Sequence, residues 1–166
     1  MKIKIQSRKN ESEYDFTNGN VILLTGPSGS GKSYIEHSII KQVLKDSDYK
    51  LIIIDCKRVE FAETKRMLEL SGDRLIDIDE CDFWEKEGWE KLDKEIRNQW
   101  KLFIIIDEFS DLVCKWPREF ESFIERIAKS ELEQFLVIST SSPRDDVVTK
   151  NVKRNVSKTI KLEIAK

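Results

Sequence analysis

Apolar residues fall into short, β-branched blocks separated by longer polar stretches: 21–25, 51–55, 75–78, 102–107, 135–140 and 159–164. Runs of that length between polar segments predict strands. Three of the blocks are nearly unbroken in apolar character, which a parallel strand covered on both faces requires. Between the blocks the period lengthens. Ile35, Ile39, Ile40, Val43 and Leu44 share one helical face, and Glu36, His37, Lys41 and Gln42 are assigned to the opposite, solvated one. Phe120, Phe123, Ile124 and Ile127 repeat the spacing, with Glu121, Ser122, Glu125 and Arg126 outside. Strands alternating with helices predict βαβ units in a three-layer αβα sandwich around a mainly parallel sheet. Residues 1–20 read as an extra strand or arm on a core formed by 21–166, the whole being one domain.

Length and composition narrow this picture without changing it. A chain of 166 residues, 39% hydrophobic and 36% charged, suits one core under a charged surface. The net charge of −2 gives no overall basic excess, so any nucleic-acid contact has to come from a local patch. Cys56, Cys81 and Cys114 are far apart and His37 is the sole histidine, which leaves no zinc-ligand cluster. Scattered reduced cysteines suit the cytoplasm. No apolar run is long enough for a membrane helix or a signal peptide.

Chemistry enters after the first apolar block. Gly26, Pro27, Ser28, Gly29, Ser30, Gly31, Lys32 and Ser33 match G-x-x-x-x-G-K-[ST] at every fixed position, between an expected strand and an amphipathic helix. Such a P-loop turns its backbone N–H groups inward onto phosphate, and the helix adds its positive end. Lys32 is expected to reach the β- and γ-phosphates of ATP, and Ser33 to ligate Mg²⁺.

The block at 102–107 ends in Asp107 and Glu108. A parallel sheet sets the carboxyl ends of its strands along one crevice, where ligands bind. Asp107 is then the acidic anchor for Mg²⁺, and Glu108 the residue that orients the attacking water. A water-activating carboxylate favours hydrolysis over transfer to a metabolite, which must exclude water. The block at 135–140 ends in hydroxyls, and Thr140 or Ser141 is expected to sense the γ-phosphate.

Segments beyond the loop resemble the FtsK/SpoIIIE family of DNA translocases, in the wider FtsK–HerA group. Ile54-Asp55-Cys56-Lys57-Arg58-Val59-Glu60-Phe61 is similar to that family's I-D-P-K-R-V-E-L. Ile106-Asp107-Glu108-Phe109-Ser110-Asp111-Leu112 resembles hydrophobic-D-E-[FL]-A-D-L, and Arg126-Ile127-Ala128 resembles R-L-A. Leu136-Val137-Ile138-Ser139-Thr140-Ser141-Ser142-Pro143 resembles L-V-L-A-T-Q-R-P. Asp146-Val147-Val148-Thr149 and Lys153-Arg154-Asn155-Val156 match D-V-I-T and K-A-N-I. The matches run in family order across 21–164.

The resemblance implies a RecA-like fold, a homo-oligomeric ring of about six subunits, duplex DNA through its centre, and an arginine from the neighbour completing each ATP site. Departures are also plain. Ser141 and Ser142 replace the family's glutamine and arginine, and the family's S-R-T-I-L segment, membrane segments and winged-helix domain have no counterpart in this sequence. Arg58, Arg118, Arg126, Arg144 and Arg154 are the candidates for the trans arginine. Lys150, Lys153, Arg154, Lys158, Lys161 and Lys166 against Glu163 form a basic stretch suited to phosphate contacts. Trp84, Trp89, Trp100 and Trp116 are expected in the core or at a subunit interface rather than as a stacking platform. The reading is an ATP-hydrolysing DNA translocase serving transfer, packaging or segregation of a mobile element, either a bare motor or one that borrows targeting from a recruiting partner. The alternative is an ATP-binding adaptor or loader that hydrolyses slowly.

Overall fold

A computed structural model describes residues 1–6, 11–45, 48–72, 74–76, 78 and 85–164. Cys81, Trp84 and Lys166 lie outside the described residues. Five parallel strands, β3 (Val21–Thr25), β4 (Lys50–Asp55), β5 (Lys101–Asp107), β6 (Glu133–Thr140) and β7 (Lys158–Lys161), form one sheet in the order β4-β5-β6-β3-β7. Among the described residues six α-helices flank it: α1 (Lys32–Lys45), α2 (Ala62–Ser71), α3 (Glu87–Asn98), α4 (Ser110–Lys115), α5 (Pro117–Ala128) and α6 (Lys150–Asn155).

The near-continuous apolar blocks are explained by burial on both faces. Alternate residues split cleanly between two cores. Ile52, Ile54, Leu102, Ile104, Ile106, Leu136 and Ile138 pack with Trp89, Leu92 and Phe123, on the α3–α5 side. Leu51, Ile53, Phe103, Ile105, Phe135 and Val137 pack with Ile35, Ile39, Ile40 and Val43 of α1. The αβα layering expected from the pattern is therefore present.

The first residues pair with each other rather than with the main sheet. β1 (Lys2–Gln6) and β2 (Glu11–Asp15) form an antiparallel hairpin. Only one of its faces is apolar, since Ile3 and Ile5 alternate with lysines, so it can cover a core but not enter one. Ile3, Ile5, Tyr14 and Phe16 close the α1-side core. The Phe16 ring lies 4.4 Å from that of Phe135 and 5.5 Å from that of Phe103.

Two expected strands are shorter than the pattern suggested. Among the described residues of 75–78 only Leu75 pairs, in a single parallel bridge to Leu51. Its apolar run is two residues between charged neighbours, too short to propagate a ladder. β7 ends at Lys161, although Leu162 N–H still donates to Thr25 O at 2.7 Å.

One helical assignment is overturned. Glu36 is completely buried rather than solvated. Residues 36, 39, 40 and 43 are themselves spaced i, i+3, i+4, i+7, so Glu36 occupies the first place of the apolar stripe. His37 is half-buried, with its ring 4.6 Å from Phe61 and Nδ1 3.3 Å from Thr64 Oγ1.

Candidate active site

The sheet order decides the site. β6 lies between β3, which leads into the glycine-rich loop, and β5, which carries the acids. Three carboxyl-end features are thus set side by side on adjacent strands. The loop residues Ser28, Gly29, Gly31, Lys32 and Ser33 line a cleft of about 290 Å³ with Lys57, Asp107, Glu108 and Ser141. Gly29 and Gly31 adopt φ of 77° and 96°, a region open to glycine at no steric cost. At Gly26 the constraint is space: a Cβ would stand 2.5 Å from Leu162 O and 2.7 Å from Ser30 Oγ. Lys32 opens α1, is buried, and donates from Nζ to Gly26 O at 2.7 Å and Pro27 O at 3.2 Å. Its ammonium is thus folded back on the glycine-rich loop.

Glu108 is held from several sides. Its φ of 52° is left-handed, which costs a non-glycine residue on the order of 1–3 kcal/mol and persists only where surroundings enforce it. Here they do. Oε1 accepts from Ser110 Oγ and Thr140 Oγ1, both at 2.9 Å, and Oε2 from Ser141 Oγ at 2.6 Å and Lys57 Nζ at 3.0 Å. The Ser141 backbone N–H reaches both oxygens, at 2.9 and 3.0 Å. Burial alone would raise the Glu108 pKa. The bonds from Ser141, Lys57 and Thr140 outweigh it and bring the pKa down to about 2. Asp107 behaves oppositely: burial, with the charges of Asp55 and Glu108, raises its pKa despite the Ser139 Oγ bond at 2.7 Å.

Asp55, opposite Asp107 in the sheet, caps the loop after β4 by accepting from the N–H groups of Lys57, Glu60 and Phe61. That loop carries Lys57 to Glu108. The hydroxyl of Thr140, expected at the γ-phosphate, donates to Glu108 and accepts from Ser142 N–H at 3.0 Å. Pro27 and Ser30 complete the loop without lining the cleft, and Ser30 Oγ is buried with no hydrogen bond.

Among described residues no group of three or more His, Cys, Asp or Glu side chains stands close enough to hold a bare metal ion. The donors that do face the cleft, the Ser33 hydroxyl and the Asp107 carboxylate, are oxygens of the kind Mg²⁺ takes beside water and phosphate.

No protein-family model matches the chain. Curated sequences do. The DNA translocase FtsK of Borreliella burgdorferi is 29% identical over 184 aligned positions, 92% of this chain and 23% of the relative. FtsK of Caldanaerobacter subterraneus subsp. tengcongensis is 30% identical over 178, 87% and 24% respectively. This chain is FtsK-like in sequence. It spans about a quarter of the length of the FtsK relatives it matches. In fold it superposes on the pCW3 conjugation coupling protein TcpA, a structure with ATPγS, at a TM-score of 0.68 and 20% identity over 93% of this chain and 52% of TcpA. The RecA-like P-loop fold follows from that likeness and from the sheet order.

Seen beside FtsK, the loop and the acid pair are the features that sequence alone could single out. Lys57 and Ser139 were visible only as parts of longer matches, and their role as partners of the acids comes from three dimensions. Of the arginine candidates, Arg126 forms an ion pair with Asp93, and Arg144 lies 3.4 Å from Asp146. Arg118 and Arg154 share a surface groove with Glu121 and Glu125. Arg58 stands in the loop after β4 with φ of 57°. Lys150, Lys153, Lys158 and Lys161 are exposed on α6 and edge strand β7, and Lys153 pairs with Asp145 at 2.6 Å. Lysines on an edge strand also block strand addition by another chain. Trp89 is buried in the core, Trp116 packs partly against it, and Trp100 is 66% exposed. Among described residues no helix is long and apolar enough to cross a membrane.

Proposed function

We propose that this chain is the motor unit of a cytoplasmic DNA translocase that hydrolyses ATP with Mg²⁺ as part of a homo-oligomeric ring around duplex DNA. The observation that carries this reading is the convergence of Lys32, Ser33, Asp107 and Glu108 on one cleft at the carboxyl edge of the sheet. The loop N–H groups, the α1 N-terminus and Lys32 bind the phosphates. Ser33 and Asp107 hold the cation, which supplies charge neutralisation at the transferring phosphoryl group. Glu108 is ionised at neutral pH and so able to orient a water by hydrogen bonding. All its present partners are donors, so taking up that water requires Ser141 or Lys57 to let go. This makes the clamp a natural point of control over hydrolysis. The sequence likeness to FtsK supports DNA as the substrate, and the exposed lysines of α6 and β7 are the proposed phosphate contacts. Service to a mobile element, and delivery by a recruiting protein, belong to the same proposal.

The test is ATP turnover with and without duplex or single-stranded DNA, read beside the oligomer mass. DNA-stimulated turnover by an assembled ring is expected. No stimulation by any DNA under conditions of assembly overturns it. A second reading, an ATP-binding adaptor with slow turnover, draws on one observation: the family's glutamine is replaced by Ser141, whose backbone N–H and hydroxyl both bind Glu108. Tight ATP binding with background turnover would favour it.

A further inference from the structure

The carboxyl edge of the α1-side core ends in a polar layer. Following the alternation upward from Ile53, Ile105 and Val137 gives Asp55, Asp107 and Ser139. α1 covers this layer, and the residue it contributes is Glu36, one turn beyond Lys32. Glu36 is 0% exposed, and neither of its oxygens has a hydrogen-bond partner among the described residues. A buried carboxyl without donors is costly and calls for an explanation.

Nearby donors are committed elsewhere. Ser139 lies close enough to lower the Glu36 pKa, but its proton goes to Asp107 Oδ1. Lys32 Nζ is bound to loop carbonyls. Asp55 is occupied with backbone N–H groups, and Asp107 and Asp55 add like charge. The layer is therefore short of hydrogen-bond donors, and the carboxyls of Glu36, Asp55 and Asp107 outweigh Lys32, whose charge lowers the Glu36 pKa. A hydrated divalent ion supplies both donors and positive charge. Glu36 does not line the cleft that Ser33 and Asp107 share, which places it behind the cation ligands rather than among them.

We propose that Glu36 is a positioning residue for the cation, accepting hydrogen bonds from the water shell of the divalent ion held by Ser33 and Asp107. The inference rests on the nucleotide-binding reading given above and deepens it. Burial, followed by the charge of Asp107, pushes the Glu36 carboxyl up to about 8, the behaviour of an acid lacking its counter-charge. Outer partners of this kind typically change metal affinity by about 10–100-fold.

The experiment is a Mg²⁺ titration of the binding of a fluorescent, non-hydrolysable ATP analogue to wild type, Glu36→Gln and Glu36→Met, with an EDTA baseline and thermal unfolding of each protein. Both variants should need roughly 10–100-fold more Mg²⁺ for half-maximal enhancement, while EDTA affinities stay within about twofold. Should Glu36→Gln fail to fold, Glu36→Met carries the measurement, since it removes the unpaired polar group altogether. Mg²⁺ midpoints within about twofold of wild type in the folded variants overturn the inference and leave the nucleotide site standing. Wild-type binding that is indifferent to Mg²⁺ does the same. A wild type that binds no nucleotide overturns the proposed function along with it.

Discussion

Glu36→Met should make the protein more stable, by an amount that depends on pH. In the unfolded chain Glu36 ionises with a pKa of 4.5, and in the folded protein at about 8. A raised folded pKa means that stability is fully present below 4.5 and is lost as pH rises through 8. At pH 7 the unfolded state has released the proton and the folded state still holds it. The difference is about 2.5 pH units, or about 3 kcal/mol at 1.36 kcal/mol per unit. At pH 5 the same linkage gives only about 1 kcal/mol. Methionine is close in volume and flexible, so it fills the space without a large packing loss. Glu36→Met should therefore exceed wild type by about 3 kcal/mol at pH 7 and about 1 kcal/mol at pH 5. Guanidinium unfolding of both proteins at the two pH values measures this. The difference between proteins isolates Glu36 from Asp107 and Glu108, which titrate in both. A gain equal at both pH values, or a loss at pH 7, would refute the reasoning. A protein stabilised yet impaired in Mg²⁺ response would be an instance of function retained at a cost in stability.

Glu108→Gln should retain nucleotide binding and lose turnover by roughly 10²–10⁴-fold in an ATPase assay. It should also destabilise the fold by about 3 kcal/mol at pH 7, since the Glu108 pKa falls from 4.5 to about 2 and its stabilisation is present above 4.5. That deficit shrinks as pH falls towards 2, which acid unfolding of the two proteins would reveal. Lys32→Ala should abolish ATP-analogue binding in a fluorescence titration and cost about 1–3 kcal/mol in denaturant unfolding, because it leaves the buried Gly26 carbonyl without its donor. Gly26→Ala should cost about 1–3 kcal/mol in denaturant unfolding, since its Cβ would press on the backbone oxygen of Leu162.

The αβα fold, its strand blocks and the phosphate loop were legible in the sequence because each rests on local order. Unbroken apolar runs have only a doubly covered strand to occupy, and a glycine pattern fixes a backbone path. The acid pair was legible for the same reason, as the polar end of such a run. Strand order was not. Whether β6 separates β3 from β5 depends on crossovers that no window of residues encodes, and that order alone puts Ser139 on Asp107 and Thr140 and Ser141 on Glu108. Lys57 reaches Glu108 across 51 positions for the same cause. Glu36 shows the limit most sharply. Its place in the stripe of 36, 39, 40 and 43 was there to be counted, but charge argued for solvent. Only the packed molecule shows a polar layer of Asp55, Asp107 and Ser139 beneath it, because periodicity gives the face of a helix while the tertiary fold decides what that face meets.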